Sequence, residues 1–203
     1  SPMFHYDHTI RSYHTRARPL AARYDTLTPS TLHAQLLPHL PPPPARVLDI
    51  GAGSGRDAAF FAGRGFQVIA VEPARALREV ARVRHPDPNI RWLEDRLPEL
   101  TALRELQLDA ELIWLSAVWM HVAPADRTAA LGNLVSLLRP GGRLVITLRI
   151  GPPPPDMIMH PVSGAELTVQ ARCQGLCIVH HGHASDAQGR TEIRWEKLIL
   201  ARS

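Results

Sequence analysis

The sequence of 203 residues contains few cysteines, few lysines and no long apolar run. Its two cysteines, Cys173 and Cys177, are too few for a disulfide framework or for a cysteine-built zinc site. The longest apolar run, Leu112–Met120, is interrupted by Ser116 and is much shorter than the ~20 residues that span a bilayer. The first residues also lack the long apolar stretch of a secretory signal. We therefore expect one domain in the reducing cytoplasm, away from membranes.

Lysine is nearly absent, and arginine supplies almost all of the positive charge, with Lys197 as the single lysine. The net charge is only +4, and the arginines are scattered rather than collected in a basic run. We therefore expect a small-molecule partner and no nucleic acid, with the chain acting as a monomer or a homodimer.

From Arg46 onward, short apolar strands alternate with amphipathic helices, a pattern typical of βαβ units around a parallel sheet. The predicted strands are Arg46–Ile50, Gln67–Val71, Ile90–Leu93, Ala110–Ser116 and Gly142–Arg149, and the predicted helices are Arg56–Ala62, Ala74–Arg84, Pro98–Leu106, Pro124–Leu138 and Ser163–Gln174. Right-handed crossovers place helices on both faces of such a sheet. The last two strands, Leu176–His183 and Thr191–Ala201, are joined by a linker too short for a crossover helix, so they form an antiparallel hairpin. The fold class is therefore α/β, doubly wound and mostly parallel.

The N-terminal segment differs in composition from the rest of the chain. Residues 1–45 are polar, rich in histidine and arginine, and end in Pro41–Pro44. Leucines at helical spacing predict a helix over Thr31–Leu40, with Ser30 or Thr31 as its N-cap. We expect this segment to form a helical cap on an α/β domain over residues 46–203.

A glycine-rich turn, Gly51–Gly55, lies between the first predicted strand and the first helix of the α/β domain. Glycines allow the backbone to approach a ligand closely, and a helix N-terminus offers free N–H groups. Asp49 lies two residues before Gly51, where its carboxylate favours an ammonium group and repels a pyrophosphate. A nicotinamide-dependent oxidoreductase requires Gly-x-Gly-x-x-Gly, whereas this loop has Gly51-x-Gly53-x-Gly55, so that enzyme class is the weaker alternative.

Two further carboxylates follow the second and third predicted strands. Glu72 lies where an acid can accept hydrogen bonds from both hydroxyls of a ribose. Asp95, or its neighbour Glu94 in a register shifted by one residue, lies where a side chain can reach an adenine amino group. Together with Asp49 these acids indicate a cationic, amino-bearing nucleoside as the ligand.

The glycine turn, Glu72, Asp95, the segment Leu112–Val122 and the turn Arg139–Gly142 together resemble a class I S-adenosylmethionine-dependent methyltransferase. The resemblance implies a seven-stranded Rossmann-like sheet whose last strand is antiparallel, with S-adenosylmethionine as methyl donor and S-adenosylhomocysteine as product. It also implies the cofactor-binding residues, which are Tyr24, Asp49, Gly51, Ala52, Gly53, Arg56, Glu72, Pro73, Asp95, Arg96, Leu97, Ser116 and Ala117. Among them, Asp49, Gly51 and Gly53 would line the methionine moiety. Ser116 and Ala117 would lie beside the sulfonium.

The chemistry of methyl transfer demands little from the protein, because the leaving group is already activated and positioning supplies much of the acceleration. His121, after the fourth strand, is the candidate general base, with a structural role as its alternative. Trp119 either packs against a substrate or fills the core. The remaining substrate-binding candidates are Tyr13 from the N-terminal segment and Arg149 and His160 around the proline-rich loop. The acceptor itself has no motif in this sequence.

Three histidines, His180, His181 and His183, lie close together near the C-terminus. On a strand, His181 and His183 share one face, but no cysteine or carboxylate beside them completes a ligand set. We therefore expect no metal site. A non-catalytic protein that binds an adenosyl cofactor, or that uses the proline-rich segments for interactions, is the alternative to an enzyme.

Overall fold

The computed structural model of the chain describes Ile10 and residues 17–203, apart from the side chains of Leu20 and Tyr24. The helices are α1 (Ala17–Asp25), α2 (Pro29–Leu32), α3 (Arg56–Gly63), α4 (Arg75–Arg84), α5 (Thr101–Glu105), α6 (Arg127–Ser136) and α7 (Gly164–Cys173). The strands are β1 (Arg46–Ile50), β2 (Gln67–Val71), β3 (Ile90–Leu93), β4 (Ala110–Ser116), β5 (Leu138–Ile150), β6 (Leu176–Ser185) and β7 (Arg194–Arg202). Short 3-10 turns at Leu37–His39, Trp119–His121 and Pro124–Asp126 complete the described elements.

The seven strands form one sheet in the order β3-β2-β1-β4-β5-β7-β6. Strands β1 to β5 are parallel, whereas β7 lies between β5 and β6 and is antiparallel to both. The predicted doubly wound sheet and its C-terminal antiparallel hairpin are therefore confirmed. The adjacent strands β1 and β4 continue in opposite directions along the sheet, since β1 connects to β2 on one side and β4 connects to β5 on the other. The strand order therefore reverses between β1 and β4, beside the glycine turn, and sheets of this kind bind ligands at such a switch point.

Helices cover both faces of the sheet, as predicted. Alternate strand residues point to opposite faces, so Leu48 and Ile113 enter one hydrophobic core while Val47 and Leu112 enter the other. The first core is closed by leucines of α5, α6 and α7, and the second by Phe61 of α3. These two cores hold the carboxyl ends of the parallel strands in place, where most of the predicted cofactor-binding residues lie.

The predicted helix over Thr31–Leu40 is wrong. The chain forms only the four-residue α2, with Thr28 rather than Ser30 or Thr31 at its N-cap position, and then turns into the 3-10 turn Leu37–His39. Pro38 explains the break, because proline cannot donate to the carbonyl four residues earlier and its ring clashes there. The segment still packs on the domain, since Leu36 is fully buried in the α3-side core.

Other element boundaries differ by a few residues. The helix predicted over Pro98–Leu106 is limited to α5, and the one predicted from Pro124 begins with a 3-10 turn before α6. Strand β5 starts at Leu138 rather than Gly142. Among the described residues, no helix has the length and apolarity that a membrane span requires.

Candidate active site

The glycine turn after β1 approaches the end of β4 very closely. Gly51 has a φ of +72°, which side chains other than glycine rarely adopt, and a Cβ built on it would lie 2.6 Å from Val118 Cγ2. The N–H groups of Gly51 and Ala52 both donate to the Val71 carbonyl, at 2.8 and 2.9 Å. The turn is therefore held in place by β2 and has no room for a side chain at position 51.

Glu72 joins this turn to the start of α4. Its Oε1 accepts the N–H of Gly53 at 2.9 Å, and its Oε2 accepts the N–H of Ala74 at 2.8 Å. The side chain is only 2% exposed. Burial raises the pKa of Glu72 to about 7, although the two backbone hydrogen bonds act against that rise. A fixed carboxylate that is easily protonated thus faces the loop.

Asp49 is the second buried acid of the site. It is 2% exposed, and its Oδ2 has no hydrogen-bond partner among the described residues. Burial, and after it the repulsion from Asp57, raise the pKa of Asp49 well above its ordinary value. A buried carboxylate oxygen without a partner costs free energy. Asp49 is therefore prepared to accept a donor that enters from the cavity.

Beneath the turn lies a buried polar cluster centred on Asp57. Its carboxylate accepts hydrogen bonds from Arg56 Nε and Trp114 Nε1, both at 3.0 Å, and lies 3.0 Å from His33 Nε2. Burial alone would raise the pKa of Asp57, but His33 and Arg56 outweigh it and hold the pKa below its usual range. The cluster ties α3, β4 and the N-terminal segment together under the site.

One large cavity, with a volume of about 590 Å³, opens at the carboxyl ends of the parallel strands. Of the residues predicted to bind the cofactor, it is lined by Asp49, Gly51, Ala52, Gly53, Arg56, Glu72, Pro73, Ser116 and Ala117. This volume is typical of small-molecule sites. The structure therefore brings together nine residues that are up to 68 positions apart in sequence.

The end of β4 shapes one wall of the cavity. Ala117 has a φ of +57°, an unfavourable conformation for a residue with a Cβ. Its N–H donates to Thr147 Oγ1 at 2.9 Å, which holds the backbone in place. Because such strain persists only where the surrounding structure imposes it, Ala117 and Ser116 form a fixed surface on the cavity.

His121 lines the cavity, and its neighbour Trp119 does not. The His121 ring is 6% exposed, and its Nδ1 lies 3.3 Å from the Ile158 carbonyl oxygen. Burial lowers the pKa of His121 to about 4, so the ring is neutral at pH 7. Trp119 is 1% exposed and packs in the core on the α6 and α7 side, so the structure gives it a packing role rather than a place at the cavity.

The loop after β5 closes another side of the cavity. Arg149 lines it, and its Nη1 donates to the Pro152 carbonyl at 2.9 Å. Prolines and methionines from this loop line the same space, namely Pro152, Pro153, Pro154, Pro155, Met157 and Met159. His160 lies outside the lining, and its backbone N–H donates to the Met120 carbonyl at 2.8 Å.

Lys197, the single lysine, also lines the cavity, although the sequence did not mark it as a site residue. It is 6% exposed, and its Nζ donates to the Leu32 carbonyl at 2.6 Å. Burial lowers the pKa of Lys197, and the nearby Asp57 opposes this. The available signal was that the single lysine of the chain directly precedes the apolar run Leu198–Ala201 of β7, since lysine is rarely buried without a partner.

The connection between β6 and β7 forms the outer rim. Asp186 accepts hydrogen bonds from Arg190 Nε at 2.8 Å and from Trp195 Nε1 at 3.1 Å. From the opposite side of the cavity, Arg23 of α1 donates to Gln188 Oε1 at 3.1 Å. The N-terminal helix and the C-terminal hairpin therefore meet over the cavity.

Three of the predicted cofactor-binding residues, including the predicted adenine contact Asp95, do not line this cavity. As far as the structure describes the chain, Asp95, Arg96 and Leu97 are not part of the cavity lining. The two Asp95 carboxylate oxygens accept the N–H groups of Arg96 at 2.9 Å and Leu103 at 2.8 Å, so Asp95 stabilises the start of α5. Tyr13 lies outside the described residues, and for Tyr24 only the backbone, within α1, is described.

Comparison with known proteins agrees with this geometry. Residues 16–178 match the protein family described as a methyltransferase domain. An uncharacterized methyltransferase of Mycobacterium tuberculosis is 33% identical over 112 residues, which cover 52% of this chain and 40% of that protein. The chain thus spans less than half the length of this curated relative.

Solved structures show the same fold. The 1,6-didemethyltoxoflavin-N1-methyltransferase of Burkholderia thailandensis, crystallised with 1,6-didemethyltoxoflavin and S-adenosylhomocysteine, superposes with a TM-score of 0.72 at 19% identity. That match covers 100% of this chain and 91% of the other. The magnesium protoporphyrin IX methyltransferase of Synechocystis, crystallised with S-adenosylmethionine, has a TM-score of 0.67 at 18% identity, over 89% and 80% of the two chains. Because the family match extends over most of the sequence, this chain belongs to the methyltransferase domain family.

Proposed function

We propose that this chain transfers the methyl group of S-adenosylmethionine to a small acceptor with an apolar body. One observation carries the proposal: two buried carboxylates with raised pKa values, Asp49 and Glu72, line a single cavity beside a glycine turn. A positively charged ligand stabilises the ionised form of a buried carboxylate, whereas a pyrophosphate would destabilise it. The cavity thus fits a cationic nucleoside better than a nicotinamide dinucleotide.

The donor end of the cavity has partners for two polar parts of such a nucleoside, the ammonium group and the ribose. Asp49 Oδ2 lacks a hydrogen-bond partner among the described residues and suits the α-ammonium group. Each Glu72 oxygen accepts one backbone N–H and keeps a lone pair for a ribose hydroxyl. Gly51 lets the backbone approach the methionine moiety, and Ser116 and Ala117 provide the fixed surface beside the sulfonium.

When it is bound, S-adenosylmethionine supplies a methyl group on a sulfonium that is already a good leaving group. The protein therefore has to orient the acceptor and exclude water. His121 is neutral at pH 7 and lines the cavity, so its ring can accept a proton. Because its pKa is about 4, it is a weak base and suits an acceptor that becomes strongly acidic once the methyl group is attached.

The acceptor end of the cavity is largely apolar and carries charged groups of both signs, since Asp156, Asp186 and Glu192 also line it. Pro152–Pro155, Met157 and Trp195 supply apolar surface, while Arg149 and Lys197 supply positive charge. An apolar lining with a few placed polar groups is typical of small-molecule sites. The lining therefore favours an acceptor with an apolar body and a polar substituent.

The decisive experiment measures ligand affinity by calorimetry in the wild type and in Asp49→Asn and Glu72→Gln. S-adenosylhomocysteine retains the ammonium group, and methylthioadenosine lacks it. We expect Asp49→Asn to weaken S-adenosylhomocysteine at least about tenfold, the scale of one lost charged hydrogen bond, and to leave methylthioadenosine nearly unchanged. Glu72→Gln should weaken both ligands. Glu79→Gln, an exposed change on α4, is the matched control and should weaken neither.

Two other outcomes would contradict the proposal. Binding of NAD in preference to S-adenosylhomocysteine would identify an oxidoreductase. Tight binding of S-adenosylmethionine without formation of S-adenosylhomocysteine, across a panel of apolar acceptors that carry hydroxyl, carboxyl or amino groups, would favour a non-catalytic binding protein.

A further inference from the structure

The sheet face opposite the cavity carries a cluster of two histidines and one glutamate. His181 and His183 lie two residues apart on β6, so their side chains share a face. Strand pairing places His183 opposite Glu196 of β7. The residues on either side of Glu196, Trp195 and Lys197, line the cavity, so Glu196 points to the other face. The cluster is thus separate from the candidate active site.

The three side chains converge on a small volume. His181 Nε2 lies 2.7 Å from Glu196 Oε1, and His183 Nε2 lies 3.4 Å from the same oxygen. The two imidazole rings are stacked, with centroids 5.2 Å apart and planes 25° apart. One ligand atom from each residue lies within 4.8 Å of the other two. Zinc bonds to nitrogen and oxygen of about 2.0–2.2 Å place ligand atoms a little over 3 Å apart, so small side-chain movements suffice.

The start of α7 supports the glutamate from the other side. The N–H of Gly164, the first residue of α7, donates to Glu196 Oε2 at 3.1 Å. A Cβ at Gly164 would collide with both His181 and Glu196, so the helix packs directly on the cluster only because this residue is glycine. The hydrogen bond fixes one carboxylate oxygen and leaves the other aimed at the histidines. Metal sites commonly use such a second hydrogen bond to orient a ligand.

Solvent reaches the cluster from one side. The side chain of Glu196 is 12% exposed, that of His181 is 30% exposed and that of His183 is 68% exposed. An ion can therefore enter past His183 and reach His181 and Glu196, which are more deeply buried.

We propose that His181, His183 and Glu196 bind a divalent transition-metal ion of the zinc class. Two imidazoles and one carboxylate suit zinc, cobalt, nickel or copper, whereas magnesium and calcium prefer sites built from oxygen alone. Three protein ligands leave coordination positions for water. No metal was expected here from the sequence, because the carboxylate that completes the ligand set comes from another strand, β7.

A bound ion would connect three elements, since its ligands lie on β6 and β7 and Glu196 is held by α7. The segment after His183 leads within two residues to Ser185 and then Asp186, which line the cavity rim. Binding to the folded state alone raises thermal stability. Saturating zinc should therefore raise the Tm of the protein.

The test requires a background without competing ligands. His5, His8 and His14 in the N-terminal segment, and the free thiols of Cys173 and Cys177, can also bind zinc. In the full chain the histidines are changed to glutamine and the cysteines to serine. The protein is stripped with a chelator and titrated with zinc sulfate against a chromophoric competitor.

We expect one zinc ion per chain in this background. His183→Gln, at an exposed position that leaves the fold intact, should weaken binding by at least about tenfold and abolish the rise in Tm. His181→Gln and Glu196→Gln should do the same. His180→Gln is the matched control, because His180 is the adjacent residue on β6 and lies 2.9 Å from Gln35 instead.

Two results would overturn the proposal. No zinc bound at micromolar concentration would show that the cluster is an ion pair only. Equal loss of affinity in His180→Gln and His183→Gln would place the ion elsewhere on the strand.

Discussion

The raised pKa of Glu72 leads to a quantitative prediction about cofactor binding. In the free protein the pKa is about 7 because the carboxyl group is buried, whereas a ribose that donates to Glu72 requires its ionised form. The ionised fraction is then roughly 9% at pH 6 and roughly 76% at pH 7.5. We expect the Kd of S-adenosylhomocysteine to be about eightfold higher at pH 6 than at pH 7.5. The raised pKa of Asp49 acts in the same direction.

The stability of the free protein should depend on pH with the opposite sign. Glu72 has a folded-state pKa of about 7 against an ordinary value of 4.5. Its protonated form therefore favours the folded state. This contribution is fully present below pH 4.5 and is lost as the pH rises through 7, and it amounts to roughly 3 kcal/mol. Between pH 5 and 7.5 this residue thus lowers the free energy of unfolding as the pH rises, while cofactor affinity increases.

The assay is calorimetry at constant ionic strength from pH 5.5 to 7.5, in buffers of different ionisation enthalpy. Binding near pH 6.5 should release protons, and Glu72→Gln should reduce both the release and the slope of Kd against pH. Glu79→Gln should retain both. A Kd that is independent of pH in the wild type, or an unchanged slope in Glu72→Gln, would refute the argument that burial of this carboxyl group controls affinity.

Three other substitutions separate structural from chemical roles. Gly51→Ala should lower the free energy of unfolding by at least about 1–2 kcal/mol in chemical denaturation, since φ is positive and the new Cβ would meet Val118. His121→Gln should lower kcat without changing the Kd of S-adenosylhomocysteine, and the wild-type rate should show no inflection from this residue between pH 6 and 8, because its pKa is about 4. Lys197→Met should raise the KM of an anionic acceptor more than it changes cofactor affinity, with partial rescue by Lys197→Arg. It should also cost about 1 kcal/mol of stability, since the Leu32 carbonyl loses its donor. Equal effects of Lys197→Met on acceptor and cofactor would exclude a role specific to the acceptor.

The central strands, and their alternation with helices along the chain, could be predicted because local sequence patterns determine them. β1, β2, β3 and β4 have the predicted boundaries, since each is a short apolar run between turn residues. The helix over Thr31–Leu40 failed because leucine spacing was given more weight than Pro38 inside the same segment. A periodic pattern predicts which face of a segment is buried, but it does not show that the segment is continuous.

The residues proposed to bind the methyl donor were easier to predict than those proposed to bind the methyl acceptor, and the reason is the topology of the sheet. Asp49, Glu72 and Ser116 lie at the carboxyl ends of adjacent parallel strands, so their proximity follows from the sheet alone. Lys197 reaches the cavity only because β7 pairs with β5 in a register that places it opposite Thr147. That register depends on long-range pairing, which no local pattern specifies.

Asp95 shows the limit of an argument from position. It follows β3 as predicted, yet its two carboxylate oxygens accept backbone N–H groups, one from the adjacent Arg96 and one from Leu103 in the first turn of α5. An acid in the loop before a helix can accept a free N–H group of the first turn whether or not it also meets a ligand. Its sequence position alone could not distinguish these roles, and its binding to adenine stays a prediction.

Consecutive residues of the C-terminal hairpin belong to the two separate proposed sites, the acceptor end of the cavity and the zinc site. Because side chains alternate along a strand, Lys197 faces the cavity while Glu196 faces the histidine cluster. The two proposals can therefore fail independently: Lys197→Met should leave zinc binding unchanged, and His183→Gln should leave the affinity for S-adenosylhomocysteine unchanged. If zinc instead alters the KM of the acceptor in the wild type but not in His183→Gln, the two sites are coupled. Two routes connect them: the loop from Ser185 to Arg190, which follows the histidines and forms the cavity rim, and Glu196, whose neighbours Trp195 and Lys197 line the cavity.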